Sequence, residues 1–317
     1  MNSPRFCYVK FIFVNLNLTK NSEDPGDRAR TVLYVHLLLN DKLCCYYYSL
    51  WKFIWFESTF AAKYIMTDMK ENNYMKTLVL SDIHANQPAL KAVLKDASAC
   101  DRIVFLGDLA NFGPHPAECV EMLKKTNPIC VMGNHDEQIV SESPQNFWDK
   151  WSRQQLSDIQ LKWMSEFRNS YILDGHILLV HGSYSVDYDI LPNTPDKAIK
   201  TAFEHLLIPG IDQVWFGHYH YHVDRVIDGI EYHCIRPVGH HRDKDTRASY
   251  YIYEDGILTQ HRVEYNISET IEDFNKIDVF EDSERKQQFA DLIKNAYHEV
   301  LLEKDLHQML KNSIAAE

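Results

Sequence analysis

From Met75 onward, short apolar runs alternate with polar segments. Residues 78–80, 103–106, 129–132, 177–180 and 214–216 are almost unbroken in aliphatic or aromatic character. Runs of this length, rich in β-branched residues, suit strands covered on both faces. Segments of helical period lie between them. Residues 88–97 place Leu90, Val93 and Leu94 on one side, and residues 116–125 do the same with Val120 and Leu123. Across residues 137–170, Leu156, Ile159, Trp163 and Phe167 recur at intervals of three and four. That spacing predicts helix, packed on the sheet or capping a site at its edge. Alternating strand and helix predicts an α/β architecture, with functional residues at the carboxyl ends of the strands. After Tyr221 the pattern changes to short alternating strands over 223–227, 229–235, 249–253 and 256–265, with a turn at Glu254-Asp255-Gly256. These predict a second, more antiparallel sheet.

Both ends of the chain break this rhythm. Residues 1–74 hold 15 of the 39 aromatic residues and one glycine, Gly26. The apolar stretch over 6–18 is interrupted by Lys10 and no small-residue cleavage site follows it. The stretch over 43–66 is broken by Lys52, Glu57 and Lys63, short of a membrane span. Neither helical nor strand period persists there. The segment is expected to be an upstream extension outside the working protein, which would start at Met66, Met69 or Met75; a membrane-contacting extension is the alternative. At the other end, residues 266–317 carry 12 acidic against 6 basic residues. Within them, 283–312 reads as an amphipathic helix with Phe289, Leu292, Ile293, Ala296, Val300 and Leu301 on one side. The expected organisation is an extension over 1–74, a catalytic domain over 75–265 and an acidic helical extension over 266–317.

Composition narrows the function. A hydrophobic fraction of 45% and a charged fraction of 25% are ordinary for a soluble globular protein. The net charge of −12 repels a bare phosphate backbone, which disfavours nucleic-acid partners, while bound cations could still hold one small phosphorylated substrate. The seven cysteines form no Cys-x-x-Cys pair, as expected of a reducing, cytoplasmic protein without a disulfide framework.

The candidate chemistry sits where the apolar runs end. Five separate loops supply Asp82 and His84, then Asp108, then Asn134, His135 and Asp136, then His181, then His218 and His220. Carboxylate, imidazole and amide oxygen are donors for a borderline divalent cation such as Mn²⁺, Fe²⁺ or Zn²⁺. No strand end offers a cysteine, which disfavours a thiolate site. Asp82 and His84 are two residues apart, as are His218 and His220, so either pair can face one way if the strand continues. A single Asp-x-His or His-Gly is more often structural than catalytic, but five such elements in order are not.

Together, Asp82-x-His84, Gly107-Asp108, Gly133-Asn134-His135-Asp136, His181-Gly182 and Gly217-His218-x-His220 resemble the signature blocks of the calcineurin-like metallophosphoesterases. The likeness runs from Met75 to about residue 265, closest to the small bacterial branch related to diadenosine-tetraphosphatase-like proteins. It implies a four-layer αββα sandwich with two mixed β-sheets and a site for two divalent ions, Mn²⁺ foremost. By motif, Asp82, His84 and His220 would hold the first ion; Asn134, His181 and His218 the second; and Asp108 both. His135 would contact the phosphoryl group or the leaving oxygen, oriented by Asp136. Two such ions would lower the pKa of a shared water that attacks phosphorus. The implied activity is hydrolysis of a small, nucleotide-like phosphomonoester or phosphodiester. A protein Ser/Thr phosphatase and a non-catalytic binding scaffold of the same fold are the alternatives. The sequence departs from the family over 234–243, where Arg236, His240, His241 and Arg242 could form a basic substrate contact or a solvated surface turn.

Overall fold

The computed structural model of the protein describes residues 75–144, 147–183, 186, 188–277 and 283–296, with three strands nearer the N-terminus. The chain divides into two compact units, Met1–Asn73 and Tyr74–Glu317. In the first, β1 (Tyr8–Phe13), β2 (Leu33–Leu39) and β3 (Lys42–Tyr48) form an antiparallel sheet in that order. No alternation predicts them. A composition rich in Tyr, Phe, Val and Leu suits extended backbone without it.

The second unit follows the strand–helix rhythm. Its elements are β4 (Thr77–Leu80), α1 (Gln87–Asp96), β5 (Arg102–Phe105), α2 (Pro116–Lys124), β6 (Ile129–Cys130), α3 (Asn134–Val140), α4 (Phe147–Gln155) and α5 (Asp158–Ser165). Then come β7 (Ser170–Leu173), β8 (Ile177–Val180), α6 (Asp196–Phe203), β9 (Gln213–Phe216), β10 (Val223–Ile227) and β11 (Ile230–Cys234). The unit ends with β12 (Ala248–Glu254), β13 (Ile257–Val263), α7 (Ile267–Asn275) and α8 (Ser283–Asn295).

Two mixed five-stranded sheets result, ordered β13-β12-β4-β5-β6 and β10-β11-β9-β8-β7. Strand alternation assigns the layers. Val79 and Val104 of the first sheet share one buried cluster with Ile177, Leu179 and Trp215 of the second, so this is the interior between the sheets. Leu78 and Leu80 turn the other way, onto Leu90 and Val93 of α1 and Val120 and Leu123 of α2. Leu178, Val180, Val214 and Phe216 turn outward onto Ile199 and Phe203 of α6. Helix, sheet, sheet and helix are the four layers.

Two sequence expectations change. The short strands after Tyr221 do not build a sheet of their own. β10 and β11 extend the second sheet, where β11 runs parallel to β9, while β12 and β13 extend the first, where β12 lies antiparallel to β4. Alternation marks a strand but not its neighbour. The long helical stretch over 137–170 is three helices. Ser157 caps α5 by accepting the Gln160 N–H, which restarts the helical phase, so Gln160 and Met164 are buried and Ile159 is 71% exposed. The acidic segment beyond residue 265 belongs to the same compact unit as the sheets. Phe274 and Ile277, with Phe289 and Ile293 of α8, are buried together with Trp151 of α4.

Candidate active site

The strand ends converge at one place. Asp82 follows β4, Asp108 follows β5, Asn134 opens α3 after β6, His181 follows β8 and His218 follows β9. The chain does not leave these strands in extended form. Asp82, His84 and Asp108 have φ of 52°, 49° and 61°, and His218 and His220 have 69° and 62°. Non-glycine residues rarely adopt this region, and a cluster of them is the kind of strain found at functional sites. Left-handed kinks therefore bring Asp82 to His84, and send His218 toward Asn134 but His220 toward Asp82 and His84, in place of the strand alternation expected from their spacing. Gly217 is required by close approach: a Cβ there would lie 1.9 Å from Ser81 Oγ and 2.6 Å from Asp82 Oδ2.

All seven expected metal ligands meet. His220 Nε2 lies 3.1 Å from both Asp82 Oδ1 and His84 Nε2. His181 Nε2 lies 3.2 Å from Asp108 Oδ2 and 3.2 Å from Asn134 Oδ1. His218 Nδ1 is 2.9 Å from the same Asn134 oxygen. His84 Nε2 is 3.7 Å from Asp82 Oδ1 and 4.0 Å from Asp108 Oδ2. Ligand atoms of Asp82, His84 and Asp108 fall within 4.8 Å of one another, as do those of Asp108, His181 and His218.

The tautomers show why a cation fits. His181 Nδ1 faces the Leu106 carbonyl at 2.7 Å, which can only accept, so Nδ1 carries the proton. His84 Nδ1 faces Asn111 Oδ1 at 2.6 Å, and the Asn111 amide is oriented by donating from Nδ2 to Asp149 Oδ1 at 3.2 Å. In the neutral rings both Nε2 lone pairs then point into a ring of carboxylate and amide oxygens. Only added positive charge reconciles lone pairs with acceptors. Outer acceptors that fix the far nitrogen in this way are the usual support of metal-ligating histidine.

Without an ion, the side chains divide this burden unequally. Burial lowers the His181 pKa, but the charge and hydrogen bond of Asp108 raise it further, to about 9. Burial and the charge of His220 bring His84 down to about 3, and burial and His181 bring His218 down to about 4. Burial raises the Asp82 carboxyl, yet the charge and hydrogen bond of His220 hold it well below the usual range.

His135 and Asp136 take different places. The His135 N–H donates to Asp108 Oδ1 at 3.0 Å, and its ring Nδ1 faces Asp149 Oδ1 at 3.2 Å. Burial lowers the His135 pKa, but Asp108 and Asp149 more than reverse this and hold it above the ordinary value. Asp136 does not orient the ring as expected. Its carboxylate accepts the N–H groups of Asp108 at 2.8 Å, Leu109 at 2.9 Å and Gly133 at 3.1 Å. It sits in the first turn of α3, so it caps the helix and fixes the loop that carries Asp108. Burial and the charge of Asp108 raise its pKa to about 6. Asp149 and Asn111 escaped the sequence reading. The signal for Asp149 was a carboxylate set between Trp148 and Trp151.

Residues 236–242 are not a basic surface turn. Arg236 pairs with Asp243, which also holds Arg262, and Arg242 is half-buried. His241 is 4% exposed with Nε2 on the Val238 carbonyl, and His240 is 7% exposed against His84.

Comparison with known proteins agrees with this fold. Residues 75–222 match the family model of the calcineurin-like phosphoesterases. This chain carries a calcineurin-like phosphoesterase domain. The domain is a phosphoric ester hydrolase. Over 220 residues, 61% of this chain and 89% of the other, it is 28% identical to the uncharacterized protein MJ0912 of Methanocaldococcus jannaschii. The solved metallophosphoesterase from Sphaerobacter thermophilus superposes with a TM-score of 0.58 at 28% identity, covering 69% of this chain and 99% of that one. Hypothetical protein PH1004 from Pyrococcus horikoshii shares the fold with a TM-score of 0.59 at 19% identity, covering 70% of this chain and 98% of that one. The seven expected ligands of the phosphoesterase domain, and His135, all lie within the family match. No helix among the described residues is long and apolar enough to cross a membrane.

Proposed function

We propose that the domain hydrolyses a small, nucleotide-like phosphomonoester or phosphodiester at a pair of divalent ions. The observation that carries this reading is the set of fixed lone pairs on His84 and His181 facing the Asp82, Asp108 and Asn134 oxygens. Asp82, His84 and His220 would hold one ion, Asn134, His181 and His218 the other, and Asp108 both. Bound there, Mn²⁺, Fe²⁺ or Zn²⁺ would supply Lewis acidity to the phosphoryl oxygens and activate a water.

The protein's own contribution lies in His135. Asp149 accepts from Nδ1, which leaves Nε2 for the substrate. The raised pKa keeps the ring protonated at higher pH than an ordinary histidine, as a donor to the leaving oxygen needs. The acidic surface supports a small substrate over a nucleic acid, because only the ion pair offsets the net charge of −12. Free Cys100, Cys119, Cys130 and Cys234 support a reducing, cytoplasmic setting. Every residue in this account lies beyond Met75, so a chain lacking residues 1–74 should keep its activity.

The test is a metal-supplemented screen of phosphomonoesters, phosphodiesters and dinucleoside polyphosphates, run on the full chain and on the shortened one. Turnover that requires metal and favours nucleotide-like esters supports the reading. Turnover of phosphoprotein alone would move it to a protein phosphatase.

A further inference from the structure

We propose that His240 is a third imidazole ligand of the ion held by Asp82, His84 and His220. The inference rests on the two-ion reading above and deepens it.

Three observations carry it. One ring nitrogen from each of His84, His220 and His240 lies within 4.8 Å of the other two. The His240 ring centroid is 4.7 Å from that of His84 and 6.2 Å from that of His220. Ligands about one small cation have this mutual spacing.

Next, His240 is 7% exposed and its Nε2 is shielded without a hydrogen-bond partner. Leaving a buried polar atom unpaired is unfavourable, because it gives up its hydrogen bonds to water for nothing. A buried imidazole tolerated at that cost beside two other imidazoles is explained by a ligand that all three share.

Finally, the turn bearing His240 is tied to the strand end bearing Asp82. The Val238 N–H donates to the Ser81 carbonyl at 2.9 Å and the Gly239 N–H to the Asp82 carbonyl at 3.1 Å. A Cβ at Gly239 would meet the Ile83 carbonyl oxygen at 2.1 Å, so the glycine allows this approach. Phe112 stacks on the His240 ring at 5.8 Å and Phe289 of α8 packs against it at 5.9 Å. Ring and strand end move as one piece, and the aromatic cover keeps water from competing.

The consequence is an asymmetric pair. One ion would be enclosed by three imidazoles and two carboxylates. The other, with two imidazoles, an amide oxygen and the shared carboxylate, would keep room for a phosphoryl oxygen. Imidazole-rich sites suit Zn²⁺ or Fe²⁺ better than Mn²⁺, so the enclosed position should select the former.

The experiment uses the full chain with Co²⁺ as the probe. Titration against a chromophoric chelator should give two affinities in the wild type. In His240→Gln the tighter one should weaken by about 10-fold or more, with a changed visible Co²⁺ spectrum and the weaker affinity retained. On the wild-type chain itself, Co²⁺ loading should give hyperfine-shifted ring protons from five imidazoles; this needs no variant to fold. Four shifted imidazoles, or His240→Gln with both affinities and its spectrum unchanged, would overturn the inference while leaving the two-ion reading intact. A wild-type chain that takes up no Co²⁺ would overturn both.

Discussion

The two halves of the candidate metal-ligand cluster use the same kinds of side chain under different cover. Asp82, His84, His220 and His240 are at most 7% exposed. Phe112 and Phe289 lie against His240, and Phe289 stacks on Phe274, whose ring lies against Trp148. On the other side His181 is buried, but Asn134, His135 and His218 are only half-buried. Among the described residues, the enclosed half is thus roofed by helices from the acidic C-terminal segment and the open half is not. Substrate should enter over Asn134, His135 and His218, and the enclosed half should serve as a fixed source of charge. Enclosure also strengthens electrostatics, because low dielectric reduces screening.

The largest effect should come from the one carboxylate common to both halves. Asp108→Ala is expected to lose both ions and bring turnover to background, with elemental analysis as the readout. Two ions retained would mean that the halves do not share it. His135→Ala tests the open half alone. Metal content should hold while kcat falls by roughly 10²–10⁴-fold, and by less for an ester with a good leaving group such as p-nitrophenolate. Metal loss in that variant would make His135 a ligand and erase the distinction.

Asp149→Asn comes next, because it supports His135 directly and reaches His84 through Asn111. A loss of about 10–100-fold is expected, in kcat more than in metal content. Metal content falling first would show that Asp149 acts mainly on the enclosed half.

The smallest effect lies at a second histidine cluster that lacks converging lone pairs. Asp224 of the partly exposed strand β10 accepts from His222, which precedes that strand, and from His233 of β11. Burial raises the Asp224 pKa, but its hydrogen bonds to both histidines bring it well below the usual range. Burial lowers the His233 pKa, but its hydrogen bond to Asp224 and the charge there raise it above the ordinary value. His233 therefore contributes stability below the ordinary histidine value of about 6.5, and loses it as pH rises through the raised value. Asp224 contributes above the ordinary value of about 3.9 and loses it as pH falls. With Asp224 46% exposed, Asp224→Asn should cost less than about 1 kcal/mol. Thermal melting across pH should then be flatter than in the wild type. A loss of metal in this variant would mean that histidine clusters, rather than enclosed lone pairs, bind the ions.

Much of the site could be read from the chain, because each ligand stands where an apolar run ends. The blocks from Asp82 to His220 need only that rule and their order. Asp149 could not be read that way. It lies on a helix, not a strand end, and meets His135 only after α4 folds back over the site. Asp136 shows the opposite failure: its position beside His135 suggested a side-chain partner, but the helix that starts at Asn134 turns its carboxylate onto backbone N–H groups.

What the sequence determines by itself is local. Apolar runs between Met75 and Phe216, the Glu254-Asp255-Gly256 turn and the polar residues beside glycines all follow from side-chain size, polarity and backbone freedom within a few residues. Which strands pair is not local. β11 lies beside β9 and β12 beside β4 because those arrangements bury Tyr232 and Tyr251, a choice that only the assembled layers can make. The role of His240 is likewise decided in three dimensions. Its neighbours in sequence read as a charged turn. Backbone hydrogen bonds to residues 81 and 82, and the aromatic helix face that closes over it, place the same imidazole, buried, beside His84.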